Sequence, residues 1–386
     1  MTPGARLQAA AEILDRIAAG AAAEQALLGW SRASRFAGSK DRAAVRDHVF
    51  DALRRWRSSA VVGGAETGRA RILGLLRQAG TDPDTLFDGA GHAPAPLTEA
   101  ERDAGAMPDG AAALDLPDWL LPVFETSLGP CLPEVAEALR HRAPVFLRVN
   151  TMLGRREAAQ AALALDGIET APHPLADTAL EVTSGARRVA QSRAYAEGLV
   201  ELQDAASQAV CAALPLTPGA RVLDYCAGGG GKALAMAARL RGVIEAHDAD
   251  PRRMSDLPAR ADRAGARLRV VSAPMGPYDL VLCDVPCSGS GAWRRSPEGK
   301  WRLTPENFAQ TLKTQAQILD EAADLLAPSG VLAYVTCSVL TPENADQVAA
   351  FQARHPGWQV EDSRQFLPSD GADGFYYAVM RRGDLG

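Results

Sequence analysis

Residues 221–232 read RVLDYCAGGGGK, and this stretch decides the fold. Its first residues are mostly apolar and predict a buried strand, while residues 232–241 follow the pattern of a helix. Four consecutive glycines join the two. Glycine lets a ligand approach the backbone closely, and the start of a helix offers free N–H groups to an anion. The stretch therefore predicts a strand, a ligand-binding turn and a helix.

An acid stands at the end of the next predicted strand. Asp248 lies 20 residues beyond Gly228, where a carboxylate can accept both hydroxyls of a ribose. Asp250 is the alternative for this role. The turn and the acid together predict a site for a nucleoside-containing cofactor without choosing one. The spacing Gly228-x-Gly230-x-x-Ala233 also fits a dinucleotide fingerprint loosely.

Strands and helices alternate from residue 220 onward. The predicted strands are Arg221–Tyr225, Val243–His247, Leu268–Val271, Tyr278–Cys283, Val331–Thr336 and Phe375–Met380. The predicted helices are Lys232–Arg241, Pro251–Ala264, Asn307–Leu326 and Glu343–His355. Such alternation predicts the α/β class, with a doubly wound, Rossmann-like sheet.

The chain before this sheet has a different character. Residues 5–57 and 69–78 have apolar side chains at helical spacing, and residues 80–118 are rich in Gly, Pro, Asp and Ala, as in a long loop. Short strand and helix patterns between residues 145 and 203 predict a small α+β unit. We therefore expect an all-α domain over 1–125, a small α+β segment over 126–205 and the Rossmann-like domain over 206–386.

Basic residues form two clusters in a chain whose net charge is −6. The first runs from Arg32 to Arg57 and has eight basic residues against three acids. The second consists of Arg294, Arg295, Lys300 and Arg302 with Glu298 as its only acid. The overall charge argues weakly against a nucleic-acid partner, but the clusters favour one. Each cluster alone is equally well explained as a solvated helix or loop face.

We expect a cytoplasmic protein in a reduced setting. The longest apolar run, Val331–Cys337, is far shorter than the roughly 20 residues of a membrane-spanning helix. The N-terminus lacks a signal-peptide pattern. The six cysteines show neither a CxxC pair nor the spacing of a metal site.

Two of these cysteines are expected at neighbouring strand ends. Cys287 lies in DVPCSG, residues 284–289, after the strand Tyr278–Cys283, and Cys337 ends the strand Val331–Thr336. The carboxyl ends of such strands face one ligand crevice, so both thiols and Asp284 are expected there. The spacing alone does not say which thiol reacts. We expect the remaining candidates, Cys131, Cys211 and Cys283, to be small core residues.

A thiolate beside a cofactor site suits methylation of a pyrimidine at carbon 5. Carbon 5 is a poor nucleophile, but addition of a thiolate to carbon 6 turns the ring into an enamine that accepts an electrophilic methyl group. A base then removes the proton at carbon 5, and the thiolate leaves. This chemistry requires a thiolate, a group that hydrogen-bonds ring nitrogen 3 and a methyl donor.

Four segments resemble the Sun family of RNA cytosine-5 methyltransferases, in particular its bacterial 16S rRNA members with an N-terminal NusB-like domain. They are the cofactor motif at 224–232, the Pro-Cys motif at 284–301, the Thr-Cys motif at 334–338 with Glu343 and Asn344, and, counted together, the two preceding elements Arg148–Thr151 and Gln203–Gln208. Residues 38–42 and the helix after them resemble the NusB-like RNA-binding module.

The resemblance implies that S-adenosyl-L-methionine is the methyl donor. It makes Cys337 the nucleophile and Cys287 a helper in releasing the product, and it places Asp284 against the target cytosine and the cofactor. The implied cofactor contacts are Cys226, Ala227, Gly228, Gly229, Gly230, Gly231, Lys232, Asp248 and Asp284.

The implied partner is RNA, with 16S rRNA favoured, and we expect a monomer with no membrane association. A target cytosine in a single-stranded or loop site would be splayed out of its stack. The residues expected to grip RNA phosphates are Arg42, Arg46, Arg294, Arg295 and Lys300.

The sequence departs from the family at two positions. Gly229 replaces a usual proline, which predicts a more flexible turn. After the third strand, Val271-Ser272-Ala273-Pro274 lacks the acid that often holds the adenine amino group, although Ser272 offers one acceptor. Two alternatives therefore stay open: an RNA N-methyltransferase, which needs no thiol adduct, and an RNA-binding ribosome-assembly factor with a decayed cofactor site.

Overall fold

The computed structural model describes residues 1–383. By their internal packing these residues form two compact units. The first, here the helical unit, contains Met1–Arg142 and Trp293–Leu303; the second, the sheet unit, contains Ala143–Ala292 and the chain from Thr304 onward. The three-part division expected from the sequence, with boundaries near 125 and 205, stays a prediction.

Helices and strands are numbered along the chain. The helices are α1 Pro3–Ala18, α2 Ala23–Ala33, α3 Ser39–Arg54, α4 Trp56–Gly63, α5 Gly68–Gln78, α6 Glu99–Asp103, α7 Gly110–Ala113, α8 Leu121–Leu128, α9 Leu132–Leu139, α10 Arg156–Leu165, α11 Arg193–Ala196, α12 Ala205–Ala213, α13 Gly231–Leu240, α14 Leu257–Ala264, α15 Glu298–Arg302, α16 Pro305–Asp324 and α17 Ala345–Arg354. The strands are β1 Phe146–Val149, β2 Glu169–Pro172, β3 Ala179–Ser184, β4 Val200–Leu202, β5 Val222–Asp224, β6 Val243–Ala246, β7 Arg267–Val270, β8 Tyr278–Asp284, β9 Leu326–Thr336, β10 Trp358–Phe366 and β11 Phe375–Arg382.

The helical unit has its own apolar core. The faces predicted for α1 and α3 are buried, with Ile13, Leu14 and Val49 fully covered. The segment Trp293–Leu303 packs into this unit: the rings of Trp293 and Phe124 stack with centroids 5.8 Å apart. Burial of large aromatic side chains contributes most to such packing. The second basic cluster of the sequence therefore lies within the helical unit.

The sheet unit contains two sheets. The smaller one is antiparallel in the order β2-β3-β1-β4, and α10 covers it through Leu163 and its neighbours. The larger one has the order β10-β11-β9-β8-β5-β6-β7, with β5 to β9 parallel and β10 and β11 antiparallel. The predicted doubly wound, Rossmann-like sheet is thus confirmed.

The order of the parallel strands fixes where a ligand can bind. β5 lies between β6 and β8, so the chain leaves β5 in one direction and returns on its other side. Ligands bind at such a reversal of strand order, outside the carboxyl ends of the strands. The glycine turn follows β5, Asp284 ends β8, and Cys337 directly follows β9. The topology therefore brings the three predicted motifs to one edge of the sheet.

One edge strand of the larger sheet, β10, differs from the sequence-based expectation. β10 was not predicted, because six of its nine residues are exposed in a row and it shows no alternation of apolar side chains. It pairs only with β11, as a polar edge strand does. None of the helices within residues 1–383 is both long and apolar enough to cross a membrane.

Candidate active site

The glycine turn between β5 and α13 is held by a set of hydrogen bonds. The Gly230 amide donates to the Ala227 carbonyl at 2.8 Å, and the Gly229 carbonyl accepts from the Arg260 guanidinium. Gly228 and Gly230 have φ of 49° and 78°, a region that favours glycine. A Cβ on Gly230 would lie 2.0 Å from a methyl of Leu257. The turn thus requires glycine at these positions, and its hydrogen bonds oppose the flexibility expected from the missing proline.

Asp248 is the acid that faces this turn. Its carboxylate accepts from the Gly228 amide at 2.9 Å, from the Asp250 amide at 2.9 Å and from the Arg253 guanidinium at 3.1 Å. Asp250, the alternative from the sequence, instead begins a short 3-10 turn and pairs with Arg252. The geometry therefore favours Asp248 over Asp250 for contact with a ligand in the turn.

Asp224, the last residue of β5, carries a feature that the sequence did not reveal. Both of its carboxyl oxygens are buried without a partner at full hydrogen-bond geometry in the described structure, and the Ala233 amide is the donor that acts on them. Burial, reinforced by the nearby Asp284 carboxylate, raises the pKa of Asp224 to about 7. Buried polar atoms that lack a partner are costly and commonly mark a ligand site. A cationic or N–H-bearing group bound beside the glycine turn would satisfy them.

Lys232 and Asp284 form the charged pair of the site. The ammonium of Lys232 lies 2.6 Å from an Asp284 carboxyl oxygen, and the Lys232 side chain is almost fully buried. Burial disfavours the charge, but the Asp284 carboxylate outweighs it and raises the pKa of Lys232 above its ordinary value. The pair therefore places a fixed positive charge and an oriented carboxylate between the glycine turn and the cysteine loops.

The two thiols that the sequence singled out are in contact. Their sulfur atoms, Cys287 Sγ and Cys337 Sγ, lie 3.4 Å apart, and both residues are half-buried. The Cys337 sulfur and burial raise the pKa of Cys287 well above its ordinary value. A thiol held in its protonated form is a weak nucleophile. The contact does not by itself rank the two thiols, and the role of Cys337 as the attacking group stays a prediction from the family resemblance.

The other cysteines lie apart from this pair. Cys211 and Cys283 are buried, as expected for core residues. Cys131 is exposed, so our expectation of a core position for it was wrong. It lies in a short 3-10 turn before α9, where the surrounding Gly-Pro sequence keeps the chain at the surface.

Glu343 joins the two cysteine loops, a role that the sequence reasoning missed. Its buried carboxylate accepts from the Ser288 amide at 2.7 Å and from the hydroxyls of Ser288 and Ser338 at 2.5 Å each. Ser288 follows Cys287, and Ser338 follows Cys337. Burial raises the pKa of Glu343, while the serine donors oppose that change. One carboxylate therefore fixes the backbone beside both thiols.

Replacing Glu343 by alanine is expected to loosen both loops. The buried donors of Ser288 and Ser338 would lose their acceptor, at a cost of about 3 kcal/mol in the free energy of unfolding. Thermal unfolding and methyl transfer, measured together, check this. The matched control is Glu361→Ala, which removes an exposed ion pair with Arg381 and should cost about 1 kcal/mol or less. Equal effects of the two variants would contradict the bridging role.

The titration of Asp224 predicts a pH-dependent stability. Because its pKa is raised from 3.8 to about 7, the folded chain keeps a proton there that the unfolded chain has lost. The contribution of Asp224 to stability is therefore fully present below about pH 4 and falls as the pH rises through 7. Asp224→Asn should remove this dependence of stability on pH. The free energy of unfolding of the variant, measured relative to that of the native chain, should therefore rise by at most about 4 kcal/mol between pH 4 and pH 8. Thermal unfolding over that range checks this; parallel pH profiles would contradict it.

Arg148 ties the small sheet to the glycine turn. Its side chain, 5% exposed on β1, donates to the Gly231 carbonyl at 2.6 Å and to the Gln203 side chain. Burial lowers the pKa of Arg148 to about 10, so the guanidinium remains charged at neutral pH. The sequence singled out Arg148 and Gln203 only as parts of motifs. The Gly231 carbonyl that Arg148 binds lies 83 residues further along the chain, a distance at which no local pattern signals a contact.

The residues predicted to bind RNA lie in different environments, all in the helical unit. Arg42 and Arg46 are exposed on α3, and Arg46 forms a two-bond ion pair with Glu24. Arg295 is exposed. Lys300 and Arg294 are 2% and 4% exposed.

The buried pair is used for packing. The Lys300 ammonium lies 3.5 Å from the Arg54 carbonyl, and the Arg294 carbonyl accepts from the Arg54 guanidinium at 2.8 Å. Burial lowers the pKa of Lys300 to about 8. Because both side chains are buried, this structure does not support Arg294 and Lys300 as phosphate contacts. Contacts of Arg42, Arg46 and Arg295 with RNA stay predictions.

Two family models match the chain. One, described as 16S rRNA methyltransferase RsmB/F, matches residues 211–381. The other, described as the ferredoxin-like domain of RsmF/B-like methyltransferases, matches residues 116–189. The first match spans the glycine turn, Asp248, Asp284 and both cysteine loops, and the second includes β1 to β3 of the small sheet.

Known proteins resemble the chain over most of its length. The ribosomal RNA small subunit methyltransferase B of Vibrio cholerae is 34% identical over 297 residues, which cover 72% of this chain and 68% of that protein. The crystal structure of PH0851 matches with a TM-score of 0.75 at 23% identity over 99% of both chains. A methyltransferase homologue from Pyrococcus horikoshii matches with a TM-score of 0.63 at 23% identity, over 70% of this chain and 97% of that one. The two structures support the fold.

Proposed function

The chain belongs to the RsmB/F family of S-adenosylmethionine-dependent 16S rRNA methyltransferases, and we propose that it methylates carbon 5 of a cytosine in 16S rRNA through a covalent cysteine adduct. One observation carries the proposal. The sulfur atoms of Cys287 and Cys337 lie 3.4 Å apart at the carboxyl ends of β8 and β9, next to the glycine turn. Methylation of a nitrogen requires neither thiol, whereas methylation at carbon 5 requires one to attack carbon 6, and the family resemblance implies that the second assists release.

The residues of the glycine turn fit S-adenosylmethionine. Residues Cys226–Lys232 would hold it, with Asp248 accepting the ribose hydroxyls and Asp284 as a further contact. When bound, this cofactor supplies an electrophilic methyl group. The buried carboxyl oxygens of Asp224 suit a cofactor that carries an ammonium group. Ser272 is exposed at the place where the family often has an adenine-binding acid.

The side chains of the site divide the reaction among them. The Cys337 thiolate attacks carbon 6 of the cytosine, and the electrons of the carbon 5–carbon 6 double bond shift toward carbon 5, which becomes nucleophilic. Asp284, oriented by the buried Lys232 ammonium, hydrogen-bonds the cytosine and holds its ring against the site. After carbon 5 has gained the methyl group it loses its proton to a base, and the Cys337–carbon 6 bond breaks to regenerate the thiolate. Cys287, in contact with Cys337, assists this release.

RNA would bind through its phosphates to exposed cations of the helical unit. Arg42, Arg46 and Arg295 are the proposed contacts, and the target cytosine would be splayed out to reach the thiols. We further propose a NusB-like character for residues 1–125, a monomeric state and action in the cytoplasm. These follow from the resemblance of the sequence and from the reduced cysteines.

The cofactor assignment is tested by two neighbouring acids. Asp248→Ala should abolish binding of S-adenosylmethionine, because it removes the proposed ribose acceptor and the partner of the Gly228 amide. Asp250→Ala, two residues away, should leave binding close to native, because Asp250 pairs only with groups of its own exposed turn. Isothermal titration calorimetry measures both. If the native chain binds RNA but no S-adenosylmethionine, the assembly-factor alternative replaces the proposal.

A further inference from the structure

The turn between α2 and α3 exposes an aromatic ring at its tip. Residues 34–37 form a tight turn, closed by a hydrogen bond from the Ala37 amide to the Ser34 carbonyl at 3.0 Å. Arg35 and Phe36 occupy its two central positions, and Phe36 is 75% exposed. The flanking residues Ser34 and Ala37 are buried. The turn is therefore anchored on both sides while it presents the Phe36 ring to the surroundings.

The residues on either side of Phe36 in the sequence include cations that have no carboxylate partner. Arg32, Arg35 and Lys40 are exposed, and within residues 1–383 none of their side chains forms an ion pair or a hydrogen bond. They lie within four residues of Phe36. Arg42 donates from its Nε to the Ala37 carbonyl at 3.0 Å, which places a fourth cation against the turn.

The acids of the same region are already neutralised. Glu24 is paired with Arg46 at 2.5 Å, and Asp41 with Arg6 at 2.8 Å and with the N-terminal ammonium at 3.3 Å. The hydrogen bond from the Arg46 guanidinium lowers the pKa of Glu24, so the Glu24 carboxylate stays ionised and paired with Arg46. The cations around Phe36 consequently act as an uncompensated positive charge.

We propose that the turn and its flanking residues, 32–42, form a binding site for single-stranded RNA. In this site a base stacks on Phe36 while adjacent phosphates bind Arg32, Arg35 and Lys40. The inference rests on the proposed function only in taking RNA as the substrate. Sites of this class combine a positively charged surface with an aromatic platform, since every base has a face that stacks. A partner protein would need an acidic surface that also carries an apolar pocket for the ring, whereas single-stranded RNA supplies phosphates and stacking faces along one chain.

The full-length chain tests the site by equilibrium binding without S-adenosylmethionine. The probe is a fluorescein-labelled, single-stranded RNA of mixed sequence. Phe36→Ala should weaken binding about tenfold, the loss expected from one base–aromatic stack. Phe36→Trp should keep the native affinity. Met107→Ala, which removes another highly exposed apolar side chain of the helical unit, is the matched control and should change nothing.

Two further readouts separate stacking from charge. A 2-aminopurine base in the same RNA should be quenched by the native chain and less so by Phe36→Ala. A triple variant tests the charge, with alanine in place of Arg32, Arg35 and Lys40. In a plot of log affinity against log salt concentration, the magnitude of its slope should be smaller by about 2. Each phosphate that the variant no longer neutralises accounts for about 0.7 of this change.

Native affinity in both Phe36→Ala and the triple variant would overturn the inference, as would a native chain that binds no RNA. Thermal unfolding confirms that the exposed substitutions leave the fold intact. Methyl transfer plays no part in this measurement. A chain that binds RNA through Phe36 but yields no 5-methylcytosine would therefore overturn the proposed function and leave the binding site standing.

Discussion

Replacing Cys337 by alanine is expected to abolish methyl transfer to RNA. Without the thiolate, carbon 5 of the cytosine remains a poor nucleophile, because in the proposed mechanism Cys287 serves product release and does not add to carbon 6. Loss of a catalytic nucleophile typically lowers the rate by about 10⁴-fold or more. Incorporation of labelled methyl groups into 16S rRNA measures the effect. Binding of S-adenosylmethionine should persist, because the glycine turn and Asp248 are untouched.

The exposed Cys131 offers a control for this experiment. Cys131→Ala removes a thiol from the helical unit, far along the chain from the proposed site, and should leave the activity native. Activity close to native in Cys337→Ala would exclude Cys337 as the nucleophile. If Cys287→Ala were then the inactive variant, the two roles would be exchanged.

Replacing Cys287 by alanine is expected to trap the covalent intermediate. The reaction should proceed through attack by Cys337 and methylation, but release should fail, because Cys287 is the group in contact with the sulfur that must leave. A protein–RNA adduct should accumulate and survive denaturing electrophoresis. Its formation should require both RNA and S-adenosylmethionine, and turnover should fall to about one event for each protein molecule.

The double variant Cys287→Ala, Cys337→Ala is the decisive control for the adduct. It should show none, since the adduct is attributed to Cys337 alone. An adduct of equal yield in the double variant would place the covalent bond on another residue. Rapid turnover without any adduct in Cys287→Ala would remove Cys287 from product release.

The central part of the parallel sheet was predictable because its strands are buried on both faces. β5, β6, β8 and the second half of β9 are short apolar runs bounded by turn residues, a pattern that follows directly from burial. β10 could not be predicted, since a polar edge strand shows neither an apolar run nor alternation. The first half of β9, Leu326 to Gly330, was missed for the same reason: it is partly exposed.

The residues of the site that follow directly from the order of the strands were predictable. The carboxyl ends of parallel neighbours share an edge, so Asp284, Cys287 and Cys337 were expected together, and their sulfur contact agrees with that geometry. Glu343 and Arg148 act through partners 55 and 83 residues away, for which the sequence has no local signal.

The burial of Lys300 and Arg294 was not predicted, because the sequence of their segment is typical of an exposed basic loop. Trp293 and Trp301 flank this segment, and both pack within the helical unit: Trp301 donates from its indole N–H to the Leu53 carbonyl at 2.7 Å. Two tryptophans in such a short stretch are a signal of packing that the charge count obscured.

Identification of the modified nucleoside tests the central claim most directly. The purified chain is incubated with protein-free 16S rRNA or small subunits and isotopically labelled S-adenosylmethionine, and the RNA is digested to nucleosides for mass spectrometry. The account predicts label in 5-methylcytidine, present with the native chain and absent with Cys337→Ala. Label in an N-methylated nucleoside, or 5-methylcytidine formed equally by Cys337→Ala, would contradict it.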